Sequence, residues 1–126
     1  MADVVTLQLP REREFRPVAH LVLGGLATRL ELTYDVLDDM ETALDELLER
    51  RDLERDVTLS LYVDGDSLAA TVGPFGDRVA DELRSRGDAL GLRRVLDTVV
   101  DRCELSERDG GHWVELRKRI RMVPGG

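Results

Sequence analysis

Gly87-Asp88-Ala89-Leu90-Gly91-Leu92 is the stretch on which the fold turns. A glycine-rich loop here runs straight into Leu90–Val100, where Leu92, Val95, Leu96 and Val99 recur at helical spacing, so the loop opens a helix. Downstream, Cys103–Leu105 and Trp113–Ile120 read as the two strands of a hairpin across Asp109-Gly110-Gly111. From its residues alone the loop has two readings. It is either a plain connection and helix start, or a helix N-terminus whose unpaired N–H groups receive an anion.

Upstream, Val4-Val5-Thr6-Leu7-Gln8-Leu9 alternates loosely and stops at Pro10, which suits an edge strand. Phe15, Val18, Leu21, Val22, Leu26 and Leu30 recur at helical spacing, although Gly24-Gly25 interrupts the stretch and weakens the case for an unbroken helix. Thr33 opens a second helix with Asp35 in its first turn, and the stripe Val36, Met40, Ala43, Leu44, Leu47 marks its buried face. Asp35, Asp38, Asp39, Asp45 and Glu49 read as a solvated face of that helix. Thr58–Val63 alternates with period two, Asp64-Gly65-Asp66 supplies a turn, and Ser67–Val72 returns as its partner. Gly73-Pro74-Phe75-Gly76 then ends the strand, and Val79–Arg84 is a short helix. The order is strand, two helices, two strands, a helical stretch, two strands. It implies an α+β fold, a two-layer sandwich of a mixed, mainly antiparallel sheet with helices on one face.

Composition bounds the function. The chain's 126 residues suit a single domain spanning 1–126. Hydrophobic residues make up 42% and charged residues 35%, an ordinary balance for a globular protein. The net charge of -8 argues against nucleic acid, which needs clustered positive charge, and favours basic partners. Lys118 is the single lysine among 18 basic residues, a bias of the kind a GC-rich bacterial genome produces. No run is long enough to span a membrane and the N-terminus lacks the order of a signal peptide, so a cytoplasmic protein is expected. Cys103 is alone, and in a strand it is expected to be packed and not reactive. His20 and His112 form no ligand pattern with cysteine or carboxylate, so no metal site is expected.

From Phe15 to Ile120 the sequence resembles the anti-sigma-factor serine kinases of the Bergerat (GHKL) ATPase fold. Three places carry the likeness. Leu44–Arg50 stands where the family has its Glu-x-x-x-Asn box, and Val72-Gly73-Pro74-Phe75-Gly76-Asp77 where it has Asp-x-Gly-x-Gly. Gly87–Leu92, followed by a helix and hairpin, resembles the Gly-x-Gly-Leu-Gly-Leu end of the ATP lid. The resemblance implies a nucleotide site at Glu46, Arg50, Gly73, Gly87, Ala89 and Gly91, but the chemistry there is altered. Where the family places an Asn oxygen on Mg²⁺, a cation that demands oxygen ligands, this chain has Arg50, a donor-only fixed charge. The loop aspartate that would accept from adenine is missing before Gly73, and Ala89 replaces a glycine where backbone must approach phosphate.

Glu46 matches the family's general base, yet a base with no metal-neutralised nucleotide has nothing to activate. Glu46 and Arg50 read equally as a favourable i, i+4 ion pair on a helix, and Gly73-Pro74 equally as a plain turn. No catalytic residue, no metal and neither ATP nor Mg²⁺ as cofactor is therefore expected. The implied function is a regulatory protein-binding module, a pseudokinase that takes a sigma factor or an anti-sigma antagonist, with a homodimer open. The alternatives are an active ATP-dependent anti-sigma serine kinase and a homo-oligomeric domain unrelated to transcription.

Overall fold

The computed structural model describes residues 4–10, 16–50, 55–85 and 91–120. Chain order is β1 (Val4–Leu9), α1 (Arg16–Leu30), α2 (Tyr34–Glu49), β2 (Val57–Asp64), β3 (Ser67–Phe75), α3 (Asp77–Arg84), α4 (Leu92–Val99), β4 (Arg102–Arg108) and β5 (Gly111–Arg119). The strands form one five-stranded sheet in the order β1-β2-β3-β5-β4, and each neighbouring pair is antiparallel. Alternation places Leu59, Leu61, Leu68, Ala70, Val72, Val114 and Leu116 on one face, all buried. Val36, Met40, Ala43, Leu44, Leu47 and Leu48 of α2, Val79 and Leu83 of α3, and Leu92 and Leu96 of α4 join them in the core. The α+β sandwich expected from the sequence is thus present, with its helices in one layer.

The α2 stripe read from the sequence is the buried one, and Thr33 caps the helix, its side chain accepting from the Val36 N–H at 3.3 Å. The α1 stripe is different. Ala19, Leu23 and Ala27 are buried, Val18, Val22 and Leu26 are packed only partly, and Leu21 is 75% exposed. From Pro17 to Thr28 the helix is apolar or uncharged on every side apart from His20, so periodicity could not single out a face. Ala19, Leu23 and Ala27, none of them in the stripe read from the sequence, face the core. Gly24-Gly25 does not break the helix, which runs whole to Leu30 and turns at Glu31 through a left-handed φ of 54°.

Two further expectations are corrected. Gly73-Pro74-Phe75 does not end β3. The strand continues through a cis Gly73–Pro74 peptide and a register irregularity to Phe75, which pairs with His112 and is fully buried. The acidic row on α2 is not merely solvated either. Asp39 binds Lys118 of β5 at 2.8 Å, and Asp45 meets His20 of α1 at 2.6 Å. The last hairpin turns on two residues, Asp109 and Gly110, both at positive φ, which leaves Gly111 inside β5. No described helix is long and apolar enough to cross a membrane.

Thr33→Ala removes the N-terminal side-chain cap of α2 while leaving its buried stripe intact. Urea unfolding is expected to show a loss of about 1 kcal/mol with an unchanged denaturant slope.

Candidate functional site

Arg50 is the C-cap of α2, one turn after Glu46. Its Nη1 donates to the Glu46 carbonyl at 2.9 Å and to Glu46 Oε2 at 2.9 Å. Its Nε lies 3.0 Å from Glu82 Oε2 on α3, an ion pair whose alignment falls short of a hydrogen bond. One planar guanidinium therefore satisfies a helix-end carbonyl, closes an i, i+4 pair and ties α2 to α3. All three side chains are partly buried, so the pairing is less screened than a surface bridge. In this arrangement the positive charge of Arg50 stands between the two carboxylates that could otherwise attract a cation. The Glu46 oxygen nearest it is committed as an acceptor.

Gly73 serves a different need from the one its motif suggests. It pairs with Thr58 and alternates with the core-facing Val72, so its open side faces away from the helices. A Cβ there would stand 2.6 Å from the Trp113 ring. The bare backbone is what lets the indole lie on the outer face of the sheet, where Arg108 stacks over it at 4.1 Å. Gly111 makes similar room for Pro74, whose Cβ would be 2.6 Å from an added one. Arg50 and Gly73 thus work on opposite sides of the sheet.

Gly91 is the N-cap of α4 and supplies no side-chain cap. Gly87 and Ala89 lie outside the described residues. Gly76 stands in the same uncapped role before α3, where Asp77 Oδ1 lies within hydrogen-bonding distance, 2.8 Å, of Nε2 of buried His112. Nδ1 of His112 is buried without a hydrogen-bond partner. His20 lies between two carboxylates of α2, Asp45 at 2.6 Å and Glu41 at 3.8 Å. Among the described residues no group of three or more His, Cys, Asp or Glu side chains could hold a metal ion. Sequence reasoning missed the partners of Glu82, Asp77 and Trp113, because each meets its own across more than thirty positions of chain. A groove of about 780 Å³ opens on the outer face of the sheet. Arg117, bonded there to Glu115 and Asp64, is held still further above its usual range by those two carboxylates.

No protein-family model matches the chain. Among curated proteins it is 28% identical over 133 aligned positions to the serine-protein kinase RsbW of Bacillus subtilis, covering 86% of this chain and 81% of that protein. The chain resembles the RsbW serine-protein kinases. RsbW of Listeria innocua is 26% identical over 102 residues (75% of this chain, 64% of the relative), and RsbW of Oceanobacillus iheyensis 25% over 96 residues (74% and 56%). The match to those two therefore spans less than two thirds of their length. A crystal structure of the RsbU and RsbW domains of a Mycobacterium tuberculosis protein superposes with a TM-score of 0.69. It covers 94% of this chain and 32% of that chain at 13% identity. The fold is shared with that structure, and the resemblance read from the sequence stands.

Two outcomes are expected. Arg50→Ala leaves Glu46 and Glu82 facing each other without their cation, and urea unfolding should show a loss of about 1–2 kcal/mol, only partly recovered by Arg50→Lys. Burial raises the Cys103 thiol from its ordinary 9.0 to about 11. The thiolate is then a minor species at pH 8, so alkylation should be slow in the native protein and fast in urea.

Proposed function

We propose that the chain is a bacterial, cytoplasmic regulator that binds a sigma factor or an anti-sigma antagonist and has no kinase activity. The observation that carries this reading is the engagement of Arg50 with both Glu46 and Glu82. In the resembling kinases that helix position offers an amide oxygen to Mg²⁺. A guanidinium has no lone pair to offer, keeps its charge at any accessible pH, and repels a divalent ion. With no aspartate before Gly73 to accept from adenine, both ends of a nucleotide lose a polar contact. Keeping the frame while losing these contacts favours a scaffold for protein recognition over catalysis.

The relatives' shared description as serine-protein kinases favours a second reading, an active kinase with an unusual site. Such an enzyme would need another oxygen to replace the metal ligand. Calorimetry with ATP and Mg²⁺ separates the two, and no saturable binding at submillimolar concentration is expected.

Without a nucleotide switch, capture depends on concentration and surface complementarity. The net charge of -8 steers a basic partner at low salt, and exposed charges are screened within about 10 Å at 0.1 M ionic strength. Capture of a candidate sigma factor should therefore be indifferent to ATP and weaker at high salt. Dependence on ATP, or phosphate moved to the captured protein, overturns the proposal and restores the kinase.

A further inference from the structure

Helix α1 carries Gly24-Gly25 at its middle, and packing demands neither glycine. A Cβ added at either position would meet no atom within 4 Å, and neither backbone takes a positive φ. The space is open to alanine, so both positions forgo the helix propensity that alanine would supply. The Thr28 hydroxyl donates to the Gly24 carbonyl at 3.2 Å, a side-chain bond to the preceding turn of the kind that bends helices.

The two halves of α1 on either side of the pair are held very differently. Before it, Ala19 and Leu23 are fully buried, Val18 and Val22 pack against the core, and His20 Nε2 lies 2.6 Å from Asp45 Oδ1 on α2. From Leu26 to Leu30, Ala27 is the single buried side chain, and alanine buries little apolar area. Leu26 packs only partly, and Thr28 and Arg29 are exposed. The far end of the helix is weak as well. Glu31 takes a left-handed φ of 54° without being glycine, and its N–H reaches the Thr28 carbonyl over a long 3.4 Å. The Leu32 N–H, 2.9 Å from the Ala27 carbonyl, makes the better of the two closing bonds.

We infer that Leu26–Leu30 is a hinged segment, which swings off the core about Gly24-Gly25 and Glu31 while the first half of α1 stays seated. Opening gives up one buried alanine and part of a leucine, and it returns conformational freedom to two glycines. That makes it a local event, set well below the free energy of unfolding the whole domain. The opened segment presents Leu26 and Ala27 as new apolar surface on a helix that already leaves Leu21 75% exposed. The fold thus holds apolar contact area in reserve on this flank. The inference goes beyond the proposed function and does not depend on it.

The test is amide hydrogen exchange of the full chain, followed residue by residue by NMR under conditions where exchange reports the opening equilibrium. In the wild type the amides of Leu26–Leu30 should exchange as one group, at least about tenfold faster than those of His20–Leu23. Gly25→Ala should slow that group about fivefold, the effect of restoring helix propensity at one interior position. Leu23→Ala, or Leu23→Val should the larger truncation prevent folding, should speed exchange of the first half severalfold. The Leu26–Leu30 group should stay within about twofold of wild type in that variant, because residue 23 remains buried when the segment opens. Equal protection along the whole helix overturns the inference. So does a Leu26–Leu30 group that is indifferent to Gly25→Ala, or one that accelerates together with the first half in the Leu23 variant.

Discussion

Because only one face of the five-stranded sheet is apolar, the position of nearly everything else in the chain is constrained. Leu59, Leu61, Leu68, Ala70, Val72, Val114 and Leu116 must be covered, and the other face offers Thr58, Ser60, Tyr62, Glu115 and Arg117, which must not be. All four described helices therefore lie on the same side, and α2, with the longest regular apolar stripe, takes the centre. Its C-terminal end then falls beside α3, where Arg50 finds Glu82. The candidate site is in this sense a by-product of one-sided burial: two helix ends brought together by the sheet beneath them.

At that meeting point one residue type decides the chemistry. An oxygen-bearing side chain at the end of α2 would leave Glu46 and Glu82 as an unneutralised acidic pair, a natural attractor for a cation. Arginine supplies the neutralising charge from within the chain and uses its fork to cap the helix as well. Arginine at this position thus offers no oxygen ligand and makes the surrounding carboxylates its structural partners. Gly73 underlines the distinction between motif and role. Its missing side chain is required by the indole of Trp113, on the face of the sheet that the helices do not touch.

The outer boundary of the layers shows a comparable division. β4 and α4 are dressed with charge, whereas β1 carries none and α1 has its arginines only at its two ends, although both pairs end the same sheet. The core alone does not require this asymmetry, since α1 seats itself through Ala19, Leu23 and Ala27 and could have carried charge elsewhere.

The sequence by itself determined the elements whose signal is local. The α2 stripe and its Thr33 cap, the period-two strands Thr58–Val63 and Ser67–Val72, and the Glu46–Arg50 pair all lie within one or two turns or one hairpin. It also carried the family resemblance, through the order and spacing of its glycine-rich loop, helix and hairpin. Tertiary structure alone decided which side of α1 is buried, because an apolar helix with no polar face has no periodicity to read. It likewise extended β3 through Gly73-Pro74 to Phe75, where burial and pairing with His112 outweigh the local signals for a turn. Only the packed layers joined Arg50 to Glu82, His112 to Asp77 and Gly73 to Trp113. Those contacts are set by distance in space between residues far apart in chain, and no spacing rule along the sequence encodes them.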